Sequence, residues 1–373
     1  MLGLVRASVQ TGPRRHEVRE FPRPQIGLDD GLLRVEACGI CGSDIEQFED
    51  ESGRRPHDVI PGHEPLGIIE EVGERAAQRW GVKPGDRVAL ESYLPCAKCD
   101  QCLAGNYMSC RSGRFYYGFA PVSEAPSLWG GYAEYIYLHP NAIMHKVRND
   151  LPADVAVMYN PLGAGVRWAC HLGGVGPGQS LLVLGPGQRG LAAVIAAKAA
   201  GASTVIVTGL ERDAAKPQLA REFGADYTIN VDKEDTVARV KAITDGKLVD
   251  VVLDVTPLAT QPILDAMECV RHSGRVVLAG LKGRRQMQFS PDSIIQKGAT
   301  VIGAFGVDSR AYKEAIEIIE SGRFPLEKLH THTLGLEDTA HAIEMLAGKV
   351  PGEAPVHMTI RPDLQGSGER QRS

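Results

Sequence analysis

The sequence predicts an α/β protein in two parts, a β-rich part followed by a doubly wound parallel sheet. Three observations predict it. Short apolar runs punctuated by Gly, Pro and Asp fill the chain up to about residue 155. From about residue 180, apolar strands alternate with helical segments, the pattern of βαβ units whose sheet is covered on both faces. A glycine-rich loop, GPGQRG, joins the first of those strands to its helix.

In order along the chain, GLLRVEACGI, PLGIIEEVG and DRVALESYL read as strands of the first part. SLLVLG, TVIVTG, VDVVLDV and GRVVLAGL read as parallel strands, with LAAVIAAKAAG and PQLAREFGA as helices between them. Pro217 fits only near the start of its helix, where a missing N–H does no harm. SRAYKEAIEIIESG is a strong amphipathic helix, LEDTAHAIEMLAG a shorter one, and VHMTIRP a terminal strand. The polar residues after Pro362 read as a frayed tail.

The chain of 373 residues is long enough for two domains. A net charge of -5 gives no footing for nucleic acid or an anionic membrane. No apolar run approaches a membrane span, and the start does not read as a secretory signal. The expected location is cytoplasmic, where the eight cysteines are thiols or metal ligands rather than disulfides.

Cys96, Cys99, Cys102 and Cys110 follow the spacing C-x2-C-x2-C-x7-C. Four thiolates on one compact loop suit tetrahedral zinc, and a closed shell of four sulfurs is structural. Gly185, Gly187 and Gly190 match G-x-G-x-x-G after a strand and at the head of a helix, the context in which the motif holds a dinucleotide pyrophosphate. The next strand ends at Gly209, followed by Glu211 and Arg212. Glu211 favours NAD through the ribose hydroxyl, whereas Gly209 with Arg212 suits NADP; the reading is NAD, with NADP open.

Cys41, Ser43 and Asp44 in GICGSDIEQF, and His63 and Glu64 in IPGHEPLG, form a second set. With the cysteine quartet, the glycine loop and GGYAEY (130–135), they make the whole chain resemble the zinc-dependent alcohol dehydrogenases of the medium-chain dehydrogenase/reductase family. The resemblance implies a GroES-like β-rich catalytic domain, 1–160 and 305–373, and a Rossmann domain, 161–304. It places the active site in the cleft between them. It implies two zinc ions per chain, one structural and one catalytic, and a homodimer or homotetramer. It makes Cys41 and His63 ligands of the catalytic zinc, with Glu64 beside the metal and able to enter its shell. Ser43 relays the substrate proton, and Asp44 orients the His63 imidazole. Zinc acts as a Lewis acid on the oxygen of an alcohol, and hydride passes to the nicotinamide. Where many relatives extend the relay with a histidine, this chain has Glu46, so the proton is expected to leave either through Glu46 or by a shortcut through water. The expected substrate is a secondary, polyol or cyclic alcohol, or its ketone.

The family's third protein ligand is a Cys, Glu or Asp where this chain has Asn160, in MYNPLGAG. Three readings compete. Glu64 or the Asn160 amide completes the shell; Asn160 instead faces substrate or a zinc-bound water; or the catalytic zinc is lost and Asn160 is a helix cap. Charge counting favours Glu64, because Cys41 thiolate with Glu64 restores the two negative charges that a second cysteine would bring. Rival functions are a zinc-free quinone or enoyl reductase on the same fold and a non-catalytic dinucleotide-binding protein. Cys38, Cys170 and Cys269 read as core thiols, His57 as a loop histidine, and Tyr116, Tyr117, Phe119 and Trp129 as packing that also suits a pocket wall.

Overall fold

The computed structural model describes residues 3–52, 58–112, 116–213 and 215–364. His57 and the tail beyond Leu364 lie outside the described residues. The chain folds as two compact units, Met1–Met158 with His330–Ser373, and Tyr159–Leu329.

Strands β1 (Leu4–Gly12), β2 (Arg15–Pro22), β3 (Gly31–Gly39), β4 (Pro65–Val72), β5 (Arg87–Leu90), β6 (Tyr135–Leu138) and β7 (Met144–Lys146) belong to the first unit. The second holds β8 (Ser180–Leu184), β9 (Thr204–Gly209), β10 (Tyr227–Asn230), β11 (Val249–Asp254), β12 (Val270–Leu278) and β13 (Thr300–Gly303). β14 (His330–Leu334) and β15 (His357–Ile360) return to the first.

The first unit is organised around β3. Its sheet runs β14-β15-β3-β4-β5-β7, and β6 also pairs with β3. Leu33, Val35, Ile69, Val88, Ile136 and Ile360 put their side chains into one core with Tyr117, Trp129 and Tyr132. Burying such side chains stabilises by ~1.5–3 kcal/mol each. It also holds the carboxyl end of β3, where the second set of candidate residues begins, at the centre of the unit.

The second unit is a parallel sheet in the order β10-β9-β8-β11-β12-β13. Leu181 to Leu184 and Val205 to Val207 are buried, and so is Leu191 to Ala197 of the helix Gln188–Ala199. Apolar strands covered on both faces are what the alternating pattern requires. Pro217 falls in the first turn of helix Ala215–Glu222, where it is tolerated.

The chain re-enters the first unit at His330, whereas the expected border was 305. The helix Ser309–Glu320 decides this. Asp308 caps it by accepting from the Ala311 N–H (2.9 Å). Its apolar stripe, Ala311, Tyr312, Ala315, Ile316 and Ile319, is buried, and Tyr312 packs on Tyr159 with ring centroids 5.5 Å apart. The stripe belongs with the helix Tyr159–Gly165 of the second unit. Among the described residues no helix is long and apolar enough to cross a membrane.

Candidate metal centres and dinucleotide loop

The four cysteines of the quartet come together, with their sulfurs all within 4.8 Å of one another. Cys99 and Cys102 lie 3.6 Å apart, Cys99 and Cys110 3.9 Å, and Cys96 and Cys102 4.0 Å. A tetrahedron of ~2.3 Å zinc–sulfur bonds has edges of roughly 3.8 Å, so the spacing fits a zinc shell. All are free thiols. The N–H groups of Lys98 and Cys99 lower the Cys96 thiol to about 6, and those of Arg111 and Cys102 lower Cys99, whereas burial and the neighbouring thiols push Cys102 up to about 12. Ala97 adopts a left-handed φ of 57° to turn the loop. Sequence reasoning missed how the lobe is moored. Tyr107 donates to the fully buried Glu91 carboxylate (2.6 Å), whose other oxygen meets His145 Nε2 (2.7 Å). Two widely separated residues and a tyrosine carry no sequence signal of that contact.

Cys41, His63 and Glu64 also converge, each offering one donor atom within 4.8 Å of the others, and all three are buried. Cys41 precedes the helix Gly42–Phe48, and Asp44, one turn in, accepts the Cys41 N–H through Oδ2 (2.8 Å). The other Asp44 oxygen faces His63 Nδ1 at 3.5 Å. His63 Nε2 lies 3.3 Å from Ser43 Oγ and 3.9 Å from Glu64 Oε1. Burial works to lower the His63 pKa, but the Asp44 carboxylate, by charge and hydrogen bond, and Cys41 hold it well above its ordinary value. The buried set therefore combines a thiol, an imidazole and a carboxylate, a donor mixture suited to zinc.

Two glycines make the room. A Cβ on Gly39 would lie 2.5 Å from Glu64 Oε2, and one on Gly118 3.1 Å from the His63 Cβ. Gly62, in the turn before His63, has φ 87°, a conformation that favours glycine. Phe119 stacks beside His63, with ring centroids 5.4 Å apart, while Tyr117 and Trp129 are core residues. Glu46 lies exposed on the same helix as Ser43. Cys38 and Cys269 are fully buried, and Cys170 is partly so.

In the second unit the glycine loop has the expected geometry. Gly185 follows β8 with φ 107°, and Gly187 precedes the helix Gln188–Ala199. A Cβ on Gly190 would meet the Gly185 carbonyl at 2.0 Å, so only glycine lets helix and turn approach so closely. Around Gly187 the space is open. At the end of β9, Glu211 donates its N–H to Asp232 (2.7 Å), and its carboxylate accepts from Lys233 (2.5 Å). Arg212 is exposed. No side chain fits freely at Gly209, because a Cβ there would lie 3.1–3.2 Å from Pro186 and Pro217.

Asn160 is the second residue of the helix Tyr159–Gly165 and is buried. Its Nδ2 donates to the Tyr312 hydroxyl (3.0 Å), and its backbone carbonyl accepts from Arg189 (2.9 Å). These are tertiary contacts inside the second unit. They replace the helix-cap role that was one of the three sequence readings.

A parallel doubly wound sheet with a phosphate-type glycine turn, together with a β unit carrying one four-sulfur and one mixed donor set, is the makeup of a zinc-type dehydrogenase. The comparisons agree. The family descriptions "Alcohol dehydrogenase GroES-like domain" and "Zinc-binding dehydrogenase" match residues 27–149 and 190–321. A curated relative, "Probable alcohol dehydrogenase adh" of Mycobacterium tuberculosis, is 45% identical over 364 residues, covering 96% of this chain and 99% of its own. An erythritol/L-threitol dehydrogenase of Mycolicibacterium smegmatis is 32% identical, with 96% and 98% covered. The crystal structure of an alcohol dehydrogenase from Thermotoga maritima superposes with a TM-score of 0.86 at 27% identity, covering 97% and 100%. The chain belongs to the zinc-type alcohol dehydrogenases of the medium-chain dehydrogenase/reductase family and is an oxidoreductase.

Proposed function

We propose that the chain transfers a hydride between a secondary, polyol or cyclic alcohol, or its ketone, and a nicotinamide dinucleotide, with two zinc ions per chain. The observation that carries this is the buried convergence of Cys41, His63 and Glu64 with Ser43 against the same imidazole. Zinc held by Cys41, His63 and Glu64 would supply Lewis-acid polarisation of the alcohol oxygen. The Asp44 carboxylate faces His63 Nδ1 at 3.5 Å and would orient the ring so that Nε2 is presented to the metal. Ser43 Oγ accepts the substrate proton and passes it outward. Glu46, exposed three residues on, takes it to solvent. The quartet Cys96, Cys99, Cys102 and Cys110 holds the structural ion. The third ligand is assigned to Glu64, which converges with Cys41 and His63, rather than to Asn160, whose Nδ2 donates to Tyr312.

Gly185, Gly187 and Gly190 cradle the pyrophosphate. We assign NAD over NADP because Glu211 and Asp232 place two carboxylates at the end of β9, where a 2′-phosphate would meet like charge. Comparing kcat/KM for the two dinucleotides decides this, and a preference for NADP refutes it. β13 is the outer strand of its sheet, with Val301, Ile295, Leu281 and Phe305 exposed. An edge of this kind suits pairing with a second copy, and a homodimer or homotetramer in solution is expected by light scattering. Eight free thiols suit a reducing, cytoplasmic location.

The deciding experiment is a zinc count with turnover, on wild type and Glu64→Gln. Wild type should hold two ions, and the variant should release one far more readily to a chelator and turn over slowly. Unchanged occupancy and turnover in the variant would remove Glu64 from the shell. Alcohol oxidation that persists after the mixed site is stripped would instead favour the zinc-free reductase.

A further inference from the structure

We infer that Lys282 and Asp254 form a positioning device that sets the width of the dinucleotide crevice through Thr256; the inference rests on the dinucleotide reading above. In the order β10-β9-β8-β11-β12-β13 the chain runs outward in both directions from the neighbours β8 and β11. Ligands of such sheets bind outside the carboxyl ends of the strands at that reversal. β8 delivers the Gly185 loop there. β11 delivers Asp254, its last residue, which is fully buried.

Asp254 Oδ1 accepts both the backbone N–H of Thr256 (2.9 Å) and its hydroxyl (2.5 Å). Oδ2 faces Lys282 Nζ at 2.6 Å. Nζ donates further to the Thr256 carbonyl (2.6 Å) and hydroxyl (3.0 Å). Asp254 alone would close the turn. Lys282 adds a tie from the loop after β12 to the loop after β11.

Thr256 is thereby gripped from two sides. A Cβ on Gly280 would lie 2.2 Å from its carbonyl oxygen, and a Cβ on Gly185 would lie 3.0 Å from its methyl. The wall that touches the first glycine of the dinucleotide loop is thus held by a buried ion pair, which is costly to build away from water and demanding in geometry. Lys282 Nζ makes two hydrogen bonds to Thr256 and faces Asp254, so its charge is engaged within the protein rather than offered to the cofactor. The pair is neutral as a unit, so its effect on an anionic dinucleotide is geometric rather than a matter of charge.

The test is steady-state kinetics and dinucleotide affinity by calorimetry on the full chain, with NAD and NADH as probes. In Lys282→Met the dinucleotide KM and Kd should rise about tenfold, a size typical of a displaced positioning contact. kcat at saturating dinucleotide and the KM for alcohol should change by less than about twofold. Lys282→Arg should recover most of the affinity, because a guanidinium can still bridge Asp254 and Thr256. Thr256→Val keeps the shape and removes the hydroxyl; it should move affinity the same way by a smaller factor, and it carries the test if Lys282→Met does not fold. Wild-type affinity in Thr256→Val together with Lys282→Met, or a KM rise that Arg does not repair, overturns the inference while the dinucleotide reading stands. A wild-type chain that binds neither NAD(H) nor NADP(H) overturns both.

Discussion

The quartet and the set Cys41, His63 and Glu64 each gather donor atoms within 4.8 Å, yet they are built in opposite ways. The quartet spans 15 residues, Cys96 to Cys110, on a half-exposed loop with little apolar core of its own. Its geometry comes from the local backbone, and a metal there would add stability that the loop's few apolar contacts do not supply. The mixed set draws on residues more than 20 positions apart, on separate strands' ends, and is buried. Its geometry is held by the surrounding core, by Asp44, and by the two glycines that leave space for Glu64 and His63. One site is a staple that supports its surroundings. The other is supported by its surroundings, as the proposed catalytic role requires.

Mutations should therefore separate turnover from stability. The largest expected effect is on the mixed set. Cys41→Ser or His63→Ala should lower kcat by roughly 10³-fold or more, since several kcal/mol of charge stabilisation is lost. One zinc per chain should remain, and thermal stability should change little. A variant that lost both ions together would break the comparison.

Next in size, Cys99→Ser in the quartet should release the other ion and lower Tm by roughly 4 °C, about 3 kcal/mol for a chain of this size. Turnover per folded molecule at low temperature should survive. Calorimetry and metal analysis on the same sample would check it. Asp44→Asn should then weaken zinc affinity at the mixed site by about 10–100-fold, a usual effect of removing the group that orients a ligating histidine. The quartet's affinity should not move, and a competitive chelator titration would separate the two.

The smallest effect is a pH dependence confined to the surroundings of the mixed site. His16 bonds Ser8 (3.0 Å) and packs on Phe48 of the helix that carries Ser43 and Asp44. Burial lowers its pKa to about 4, with Asp44 opposing. The unfolded chain, near 6.5, binds the proton more readily, so the neutral ring's contribution is complete above pH 6.5 and fades as pH falls toward 4. Its size is on the order of 2 kcal/mol, allowing for partial exposure. His16→Gln should flatten the fall of Tm between those pH values, and an unchanged slope would show that another group is responsible.

The parts legible in the sequence are those whose signal is local. The quartet's spacing, the glycine turn between strand and helix, and the apolar runs of β8, β9 and β11 each state their structure within a few residues. The outer strands Tyr227–Asn230 and Thr300–Gly303 do not: they are short and have one fewer neighbour to bury against. The helix Ser309–Glu320 was legible as a helix but not as a member of the second unit. Its amphipathic pattern says that it has a partner, not which one. Glu91 with His145, and Lys282 with Asp254, are invisible for the same reason, because a buried pair far apart in sequence leaves no periodicity.

Asn160 shows where the two kinds of information meet. The sequence alone determined that an amide stands where the family places a thiolate or carboxylate, and that Glu64 is available beside His63, because residue identity is a local fact. Only the tertiary structure decided that Glu64 lies with Cys41 and His63 in a space opened by Gly39, and that the Asn160 Nδ2 donates to Tyr312. The reason is physical. Chemical capacity belongs to single residues, whereas the distance between donors is set by packing among elements that are remote in the chain.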